Sequence, residues 1–161
     1  MSDLPAKMAQ KRILIVDDQG SIRSVFKLVL QDMGFHNIDS ATDGGDAIDH
    51  LKAAPYDLVI CDWNMPKLSG VEVLQIVREC DATATLPFMM VTSASETERV
   101  QEAVGEGVSD YLIKPFQPAA FSSKAHDLLK RSSHIAAKLL VSKPASPTET
   151  TETKIQLGAA E

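Results

Sequence analysis

The stretch Arg12-Ile13-Leu14-Ile15-Val16-Asp17-Asp18 decides the fold. Its apolar part is continuous and β-branched instead of alternating with polar residues, which is typical of a strand buried on both faces. Strands of this kind occur in parallel sheets that helices cover on both sides. We therefore expect a parallel sheet whose first strand ends at a pair of acidic residues.

Four more segments have the character of strands, and helical patterns separate them. The strand-like segments are 37–41, 58–61, 87–91 and 111–113. Between them, apolar residues recur at helical spacing. Strict alternation with short connections gives right-handed crossovers. The pattern predicts the α/β class: a doubly wound three-layer sandwich around a five-stranded parallel sheet, with its site at the carboxyl ends of the strands.

Composition divides the chain into four segments. We expect residues 1–9 to be a flexible N-terminus and residues 10–131 to form one domain. The apolar stripe of the last helix continues through residues 132–142 and predicts an extended C-terminal helix, which packs back on the domain, frays, or forms a docking or homodimer surface. Residues 143–161 are rich in Ser, Pro, Thr and Glu. Because such a segment cannot bury enough apolar surface, it is predicted to be a disordered tail.

The overall composition excludes several classes of protein. The net charge of -6 and the pI near 5.2 give no electrostatic footprint for nucleic acid. No apolar run approaches the roughly 20 residues that a membrane span needs, and the first residues lack the apolar core of a signal peptide. We therefore expect a cytoplasmic protein without a membrane or nucleic-acid partner. Cys61 and Cys80 match no metal-ligand spacing, and Cys61 is interpreted as a small buried hydrophobe.

Polar residues follow the strand-like segments at four places. Asp17 and Asp18 follow the first segment, Asp62 follows the third, Thr92 the fourth and Lys114 the fifth. Each residue alone has an ordinary explanation as a helix cap or a surface side chain. In a parallel sheet they meet at one edge, where three carboxylates repel one another unless a cation lies between them. The convergence predicts a metal site.

Mg²⁺ suits this set of residues best. It takes hard oxygen ligands from one or two carboxylates and completes its octahedron with water and phosphate oxygens. A carboxylate beside the metal can attack phosphorus and form an aspartyl-phosphate. We choose Asp62 as this nucleophile because it stands alone at its strand end, which leaves Asp17 and Asp18 to hold the metal. Lys114 and Thr92 suit charge compensation and hydrogen bonding to the phosphoryl group.

These residues also carry a resemblance to a known family. The runs 13–18, 61–66, 90–92 and 114–116 resemble, in order and spacing, the motifs of response-regulator receiver domains, and Asp-Trp-Asn-Met-Pro at 62–66 is typical of the CheY-type chemotaxis branch. The resemblance covers roughly residues 10–131. It implies the flavodoxin-like, CheY-like strand order 2-1-3-4-5, an order for which CheY itself is a standard example. It also implies a cis peptide bond between Lys114 and Pro115.

The resemblance assigns further roles. Asp62 would be the phosphoacceptor, Asp17 and Asp18 the acidic metal pair, and the backbone carbonyl of Asn64 a further Mg²⁺ ligand. Thr92 and Tyr111 would be the switch positions that change the face made by the fourth helix, fifth strand and fifth helix of the repeating units. Without the family, Tyr111 would be interpreted as a core aromatic.

The implied partners are a histidine kinase, of the chemotaxis type, and an output target such as the flagellar motor switch. A phosphorelay intermediate that passes phosphate to a histidine phosphotransfer protein is the alternative. An enzyme of the haloacid dehalogenase type is disfavoured because Asn64 stands where that family needs a general acid. Ala94 stands where the best-known chemotaxis members have an acidic residue. This difference leaves the lifetime of the phosphoryl group open.

Overall fold

Five strands alternate with helices in the part of the chain that the computed structural model describes, residues 4–105 and 107–131. The strands are β1 (Arg12–Val16), β2 (Asn37–Ala41), β3 (Leu58–Asp62), β4 (Phe88–Ser93) and β5 (Asp110–Lys114). The helices are α1 (Ala6–Ala9), α2 (Gly20–Asp32), α3 (Gly44–Ala53), α4 (Gly70–Glu79), α5 (Thr97–Val104) and α6 (Pro118–Arg131), and one 3-10 turn covers Asp81–Thr83.

The strands form one parallel sheet in the order β2-β1-β3-β4-β5. The predicted fold class and strand order are therefore confirmed. The chain places β2 on one side of β1 and then returns to place β3 on the other side, so the order of the strands reverses at β1. In open sheets of this type a crevice forms beyond the carboxyl ends of the strands at such a reversal.

Alternate residues of β1 face two separate apolar clusters. Ile13 and Ile15 pack in the cluster that includes residues of α2 and α6, whereas Leu14 and Val16 pack in the cluster that includes residues of α3, α4 and α5. All four side chains are at most 1% exposed. The continuous apolar run is thus explained by burial on both faces of the sheet.

Three strands extend further than the sequence pattern predicts. β3 includes Asp62, β4 continues to Ser93, and β5 continues to Lys114. The extensions of β4 and β5 follow from their pairing, because Thr92 and Ser93 lie opposite Ile113 and Lys114. The polar residues of these three strands therefore lie at the strand ends, where the ladder of backbone hydrogen bonds fixes their direction, whereas the first acidic pair follows β1.

The first described residues, 4–9, lie before the predicted domain. Where a flexible N-terminus was expected, residues 4–9 include the single turn α1, and Leu4 and Met8 pack against the cluster beneath α2 and α6. Burial of these apolar side chains stabilises the contact of this segment with the domain. The flexibility of residues 1–9 stays a prediction. The predicted helix extension 132–142 and tail 143–161 lie outside the described residues. Among the described helices, none combines the length and the apolarity that a bilayer crossing requires.

Candidate functional site

Asp17 is the most deeply buried acid at the sheet edge. It follows directly after β1, and its side chain is 0% exposed. Its Oδ1 accepts a hydrogen bond from the backbone N–H of Gln19 at 2.9 Å, and its carbonyl oxygen accepts one from the Arg23 guanidinium at 2.7 Å. The start of α2 thus holds this carboxylate in one orientation.

Asp62 lies at the end of the fully buried strand β3. Its residue is 7% exposed. Gly70, the first residue of α4, packs so closely against this strand end that a Cβ at that position would overlap the Asp62 carbonyl oxygen and lie 2.7 Å from the Trp63 Cα. The absence of a side chain at Gly70 lets α4 approach the backbone that carries Asp62.

Lys114 compensates part of the acidic charge. From the last position of β5, its Nζ lies 3.4 Å from Oδ2 of Asp17 and 3.4 Å from Oδ1 of Asp62. The peptide bond that follows, to Pro115, is cis, as the resemblance implied. One lysine thus bridges two carboxylates that come from different strands.

The environment of Asp62 favours its protonated form. The pKa of Asp62 is raised to about 6, chiefly by burial and then by the neighbouring Asp17, while Lys114 acts in the opposite direction. Asp18 adds a smaller increase in the same direction as Asp17. The single lysine therefore leaves negative charge uncompensated at this edge.

The donor set fits a hard divalent cation. Carboxylate oxygens of Asp17, Asp18 and Asp62 all lie within 4.8 Å of one another. Asp18 is exposed to solvent, while the other two are buried. Oxygen ligands with one open, wet side suit Mg²⁺, which retains several waters when bound to proteins. The uncompensated charge and the oxygen-only chemistry therefore fit this ion.

An open cavity of about 520 Å³ lies above these acids. Asp62, Asn64 and Lys114 line it, so the structure places these three predicted residues together. The other lining residues are Asp18, Gln19, Met65, Pro66, Ser93 and Glu96. The cavity is wide enough for a small phosphorylated molecule or the exposed side chain of a partner protein.

The two expected switch residues lie on β4 and β5 and do not line the cavity. Thr92 is 1% exposed, and its hydroxyl donates to the carbonyl oxygen of Ser93 at 3.3 Å. Tyr111 lies opposite Met90 in the register of β4 and β5, is partly buried, and packs against the cluster beneath α3, α4 and α5. Burial raises the pKa of its phenol. The ring thus occupies an intermediate environment between core and solvent.

Sequence reasoning placed Ser93 with Thr92 at the end of the fourth strand but gave it no role, and it missed Glu96. The Glu96 carboxylate accepts hydrogen bonds from the hydroxyl of Ser93 at 2.9 Å and from its backbone N–H at 3.5 Å. The hydrogen bond from the Ser93 hydroxyl lowers the pKa of Glu96, burial opposes this shift, and Arg99 adds a small decrease. The signal that could have found the pair is the Ser-x-x-Glu spacing of a capping box.

Comparison with known proteins identifies the family. The response regulator receiver domain matches residues 13–126. The chain belongs to this family. The chemotaxis protein CheY-3 of Vibrio cholerae is 38% identical over 74% of this chain and 92% of its own length. The chemotaxis protein CheY of Pseudomonas aeruginosa is 36% identical over 74% of this chain and 97% of its own length.

Structural comparison agrees with this receiver assignment. The chemotaxis protein CheY4 of Vibrio cholerae aligns with a TM-score of 0.66 at 32% identity and covers 74% of this chain and 99% of its own length. The receiver is thus of the CheY type, a phosphoacceptor regulator and not a classical enzyme. The haloacid dehalogenase alternative is set aside.

Proposed function

We propose that this receiver is phosphorylated on Asp62 by a histidine kinase in the presence of Mg²⁺. The convergence of Asp17, Asp18 and Asp62 within 4.8 Å, with Lys114 bridging two of them, carries the proposal. The phosphorus–nitrogen bond of a phosphohistidine breaks, a phosphorus–oxygen bond to Asp62 forms, and the imidazole keeps the electron pair and takes up a proton. The aspartyl-phosphate is the signalling state.

The residues around Asp62 would position the phosphoryl group and compensate its negative charge. Asp17, Asp18, Asp62 and the backbone carbonyl of Asn64 would hold Mg²⁺, which supplies positive charge for the phosphoryl oxygens. Lys114 would transfer its ion pair from the Asp62 carboxylate to the phosphoryl group. The Thr92 hydroxyl would exchange its 3.3 Å contact with Ser93 for a phosphoryl oxygen.

The signal would then reach the surface through Tyr111. The ring packs against the same cluster as Val100 of α5, so an inward turn changes the face formed by α5, β5 and α6, which correspond to the fourth helix, fifth strand and fifth helix of the repeating units. A residue that occupies an intermediate environment can serve as the two-state element that phosphorylation biases.

The output proposed is control of motility through a component of the flagellar motor switch, in the cytoplasm. Support comes from the chemotaxis relatives, which match this chain over most of their own length. Binding of the phosphorylated chain to such a component is the expected result. Rapid loss of phosphate to a histidine phosphotransfer protein would instead favour a relay. The mass in solution of the full chain and of a chain lacking residues 132–161 tests dimerisation. A dimer for the full chain and a monomer for the shortened chain would show that the proposed helix extension forms the dimer contact.

The fluorescence of Trp63 tests the chemistry directly. This is the single tryptophan of the chain, and it adjoins Asp62. Mg²⁺, followed by beryllofluoride or a small phosphodonor, should change its emission in the native chain. Beryllofluoride and the phosphodonor should have no effect on Asp62→Asn. An unchanged signal in the native chain, or an equal one in the variant, would contradict phosphorylation at Asp62.

A further inference from the structure

Glu96 places a fixed negative charge on the wall of the cavity that contains Asp62. It lines this cavity together with Asp62 and Lys114. It lies immediately before α5, in the turn that follows β4. The residue thus faces whatever small molecule or side chain delivers a phosphoryl group to Asp62.

The turn from Ser93 to Thr97 holds this carboxylate in place from both ends. Ser93 donates its hydroxyl and backbone N–H to the Glu96 carboxylate, at 2.9 and 3.5 Å. In return, the Ser93 carbonyl oxygen accepts the backbone N–H of Glu96 at 3.1 Å and the hydroxyl of Thr97 at 2.8 Å. These contacts hold the carboxylate beside Ser93, which also lines the cavity.

Arg99 stabilises the Glu96 carboxylate to a small extent, and the lysine of the site makes its ion pairs with other acids. Nζ of Lys114 contacts Asp17 and Asp62, both at 3.4 Å. Asp18 adds a further acid to the cavity wall. A phosphodonor that enters therefore meets negative charge from Glu96 in addition to the acids that hold the metal. In a partly enclosed site this repulsion is stronger than in bulk water.

We propose that Glu96 selects phosphodonors by their net charge, admitting singly charged donors more readily than doubly charged ones. The proposal rests on the proposed phosphorylation of Asp62. Position 94, where an acid was expected from the chemotaxis members, carries Ala in this chain. Glu96 lies two residues further along, so the turn between β4 and α5 still brings an acid to the cavity.

Two small donors separate this charge effect from a general change in reactivity. Acetyl phosphate carries two negative charges at neutral pH, whereas phosphoramidate carries a net single negative charge. The full-length chain with saturating Mg²⁺ is mixed with each donor, and the rate is followed by Trp63 fluorescence and by mass. In Glu96→Gln, the rate with acetyl phosphate relative to phosphoramidate should rise about fivefold. Glu96→Lys should raise this ratio further.

Glu98→Gln is the matched control. Glu98 is an exposed acid in the first turn of α5, two residues after Glu96, and it does not line the cavity. Its replacement removes the same charge and should leave the ratio within twofold of the native value. Circular dichroism first verifies that each variant folds. If a Glu96 variant does not fold, Glu96→Ala replaces it, because alanine also removes the carboxylate and adds no polar group to the turn.

The outcomes distinguish this inference from the proposed function. Equal acceleration of both donors by Glu96→Gln, or an unchanged ratio, would overturn selection by charge while leaving Asp62 phosphorylation intact. The same increase in Glu98→Gln would also overturn it, because the effect would then be a property of the whole surface. If neither donor modifies Asp62 of the native chain, the proposed function fails, and this inference fails with it.

Discussion

Nζ of Lys114 lies 3.4 Å from Oδ2 of Asp17, although the two residues are 97 positions apart in the sequence. The contact joins the last position of β5 to the residue after β1, and these strands are not neighbours in the sheet. Because Asp17 is 0% exposed, its negative charge depends on this lysine and on backbone N–H groups when no metal is bound. The lysine is therefore a structural as well as a chemical partner.

Replacement of Lys114 by Met should destabilise the metal-free chain by about 2 to 4 kcal/mol, because it leaves a buried carboxylate without its ion pair. Urea denaturation in the presence of EDTA measures the change. Lys124→Met is the matched control. It removes an ion pair at 3.1 Å whose side chains are 36% and 35% exposed, and such surface pairs contribute about 0 to 1 kcal/mol. Equal losses in both variants would refute the structural role of Lys114.

Asp62→Asn should stabilise the metal-free chain, and the gain should grow with pH. The pKa of Asp62 in the folded chain is about 6, above its ordinary value of 3.8. A raised pKa means that the folded chain binds this proton more tightly than the unfolded chain. Its contribution to stability is therefore fully present below about pH 4 and is lost as pH rises toward 6.

Measurement of unfolding at pH 5 and pH 7.5 in EDTA tests this dependence. The stability difference between Asp62→Asn and the native chain should increase by about 1 to 2 kcal/mol between the two pH values. Mg²⁺ should then stabilise the native chain more than the variant. A difference that stays constant with pH would show that Asp62 titrates as an ordinary aspartate.

Gly70→Ala should weaken the site without changing any of its side chains. A Cβ at position 70 would overlap the Asp62 carbonyl oxygen and lie 2.7 Å from the Trp63 Cα, so α4 or the end of β3 must shift. We expect a loss of about 1 to 3 kcal/mol in unfolding free energy and weaker binding of Mg²⁺, measured by Trp63 fluorescence. In contrast, Gly45→Ala meets only the Asp43 carboxylate at 3.5 Å and should not destabilise α3. Unchanged Mg²⁺ affinity in Gly70→Ala would contradict the close-packing role.

Arg78→Met should destabilise the chain through lost hydrogen bonds to the backbone. The guanidinium donates to the carbonyl oxygens of Gly107 at 2.8 Å, Leu86 at 2.7 Å and Thr83 at 3.2 Å. Its loss leaves these carbonyls without this charged donor, at a cost of about 2 to 3 kcal/mol by thermal or urea denaturation. Arg99→Met, which removes an exposed guanidinium 5.7 Å from the Trp63 ring, should cost less than about 1 kcal/mol. The opposite ranking would show that the carbonyl contacts are unimportant.

The sequence was sufficient to predict the sheet and the principal acids. Continuous apolar runs that end in Asp17 and Asp62 identify both a buried strand and its carboxyl end, and parallel pairing then brings such ends together. The double contact of Lys114 could not be predicted from its position, because it depends on how far the side chain reaches across the sheet. Glu96 was missed because its carboxylate returns to Ser93 through a turn, which spacing along strands does not reveal.

Lys114 comes from β5, the edge strand of the sheet, whereas Asp62 comes from its centre. A chain in which this edge has not yet paired already carries the acceptor carboxylate, but it lacks the cation that a phosphoryl group requires. If Asp62 is phosphorylated as proposed, we expect incompletely folded molecules to be poor acceptors. The pool of receivers competent to signal would then contain only molecules whose edge strand is in place.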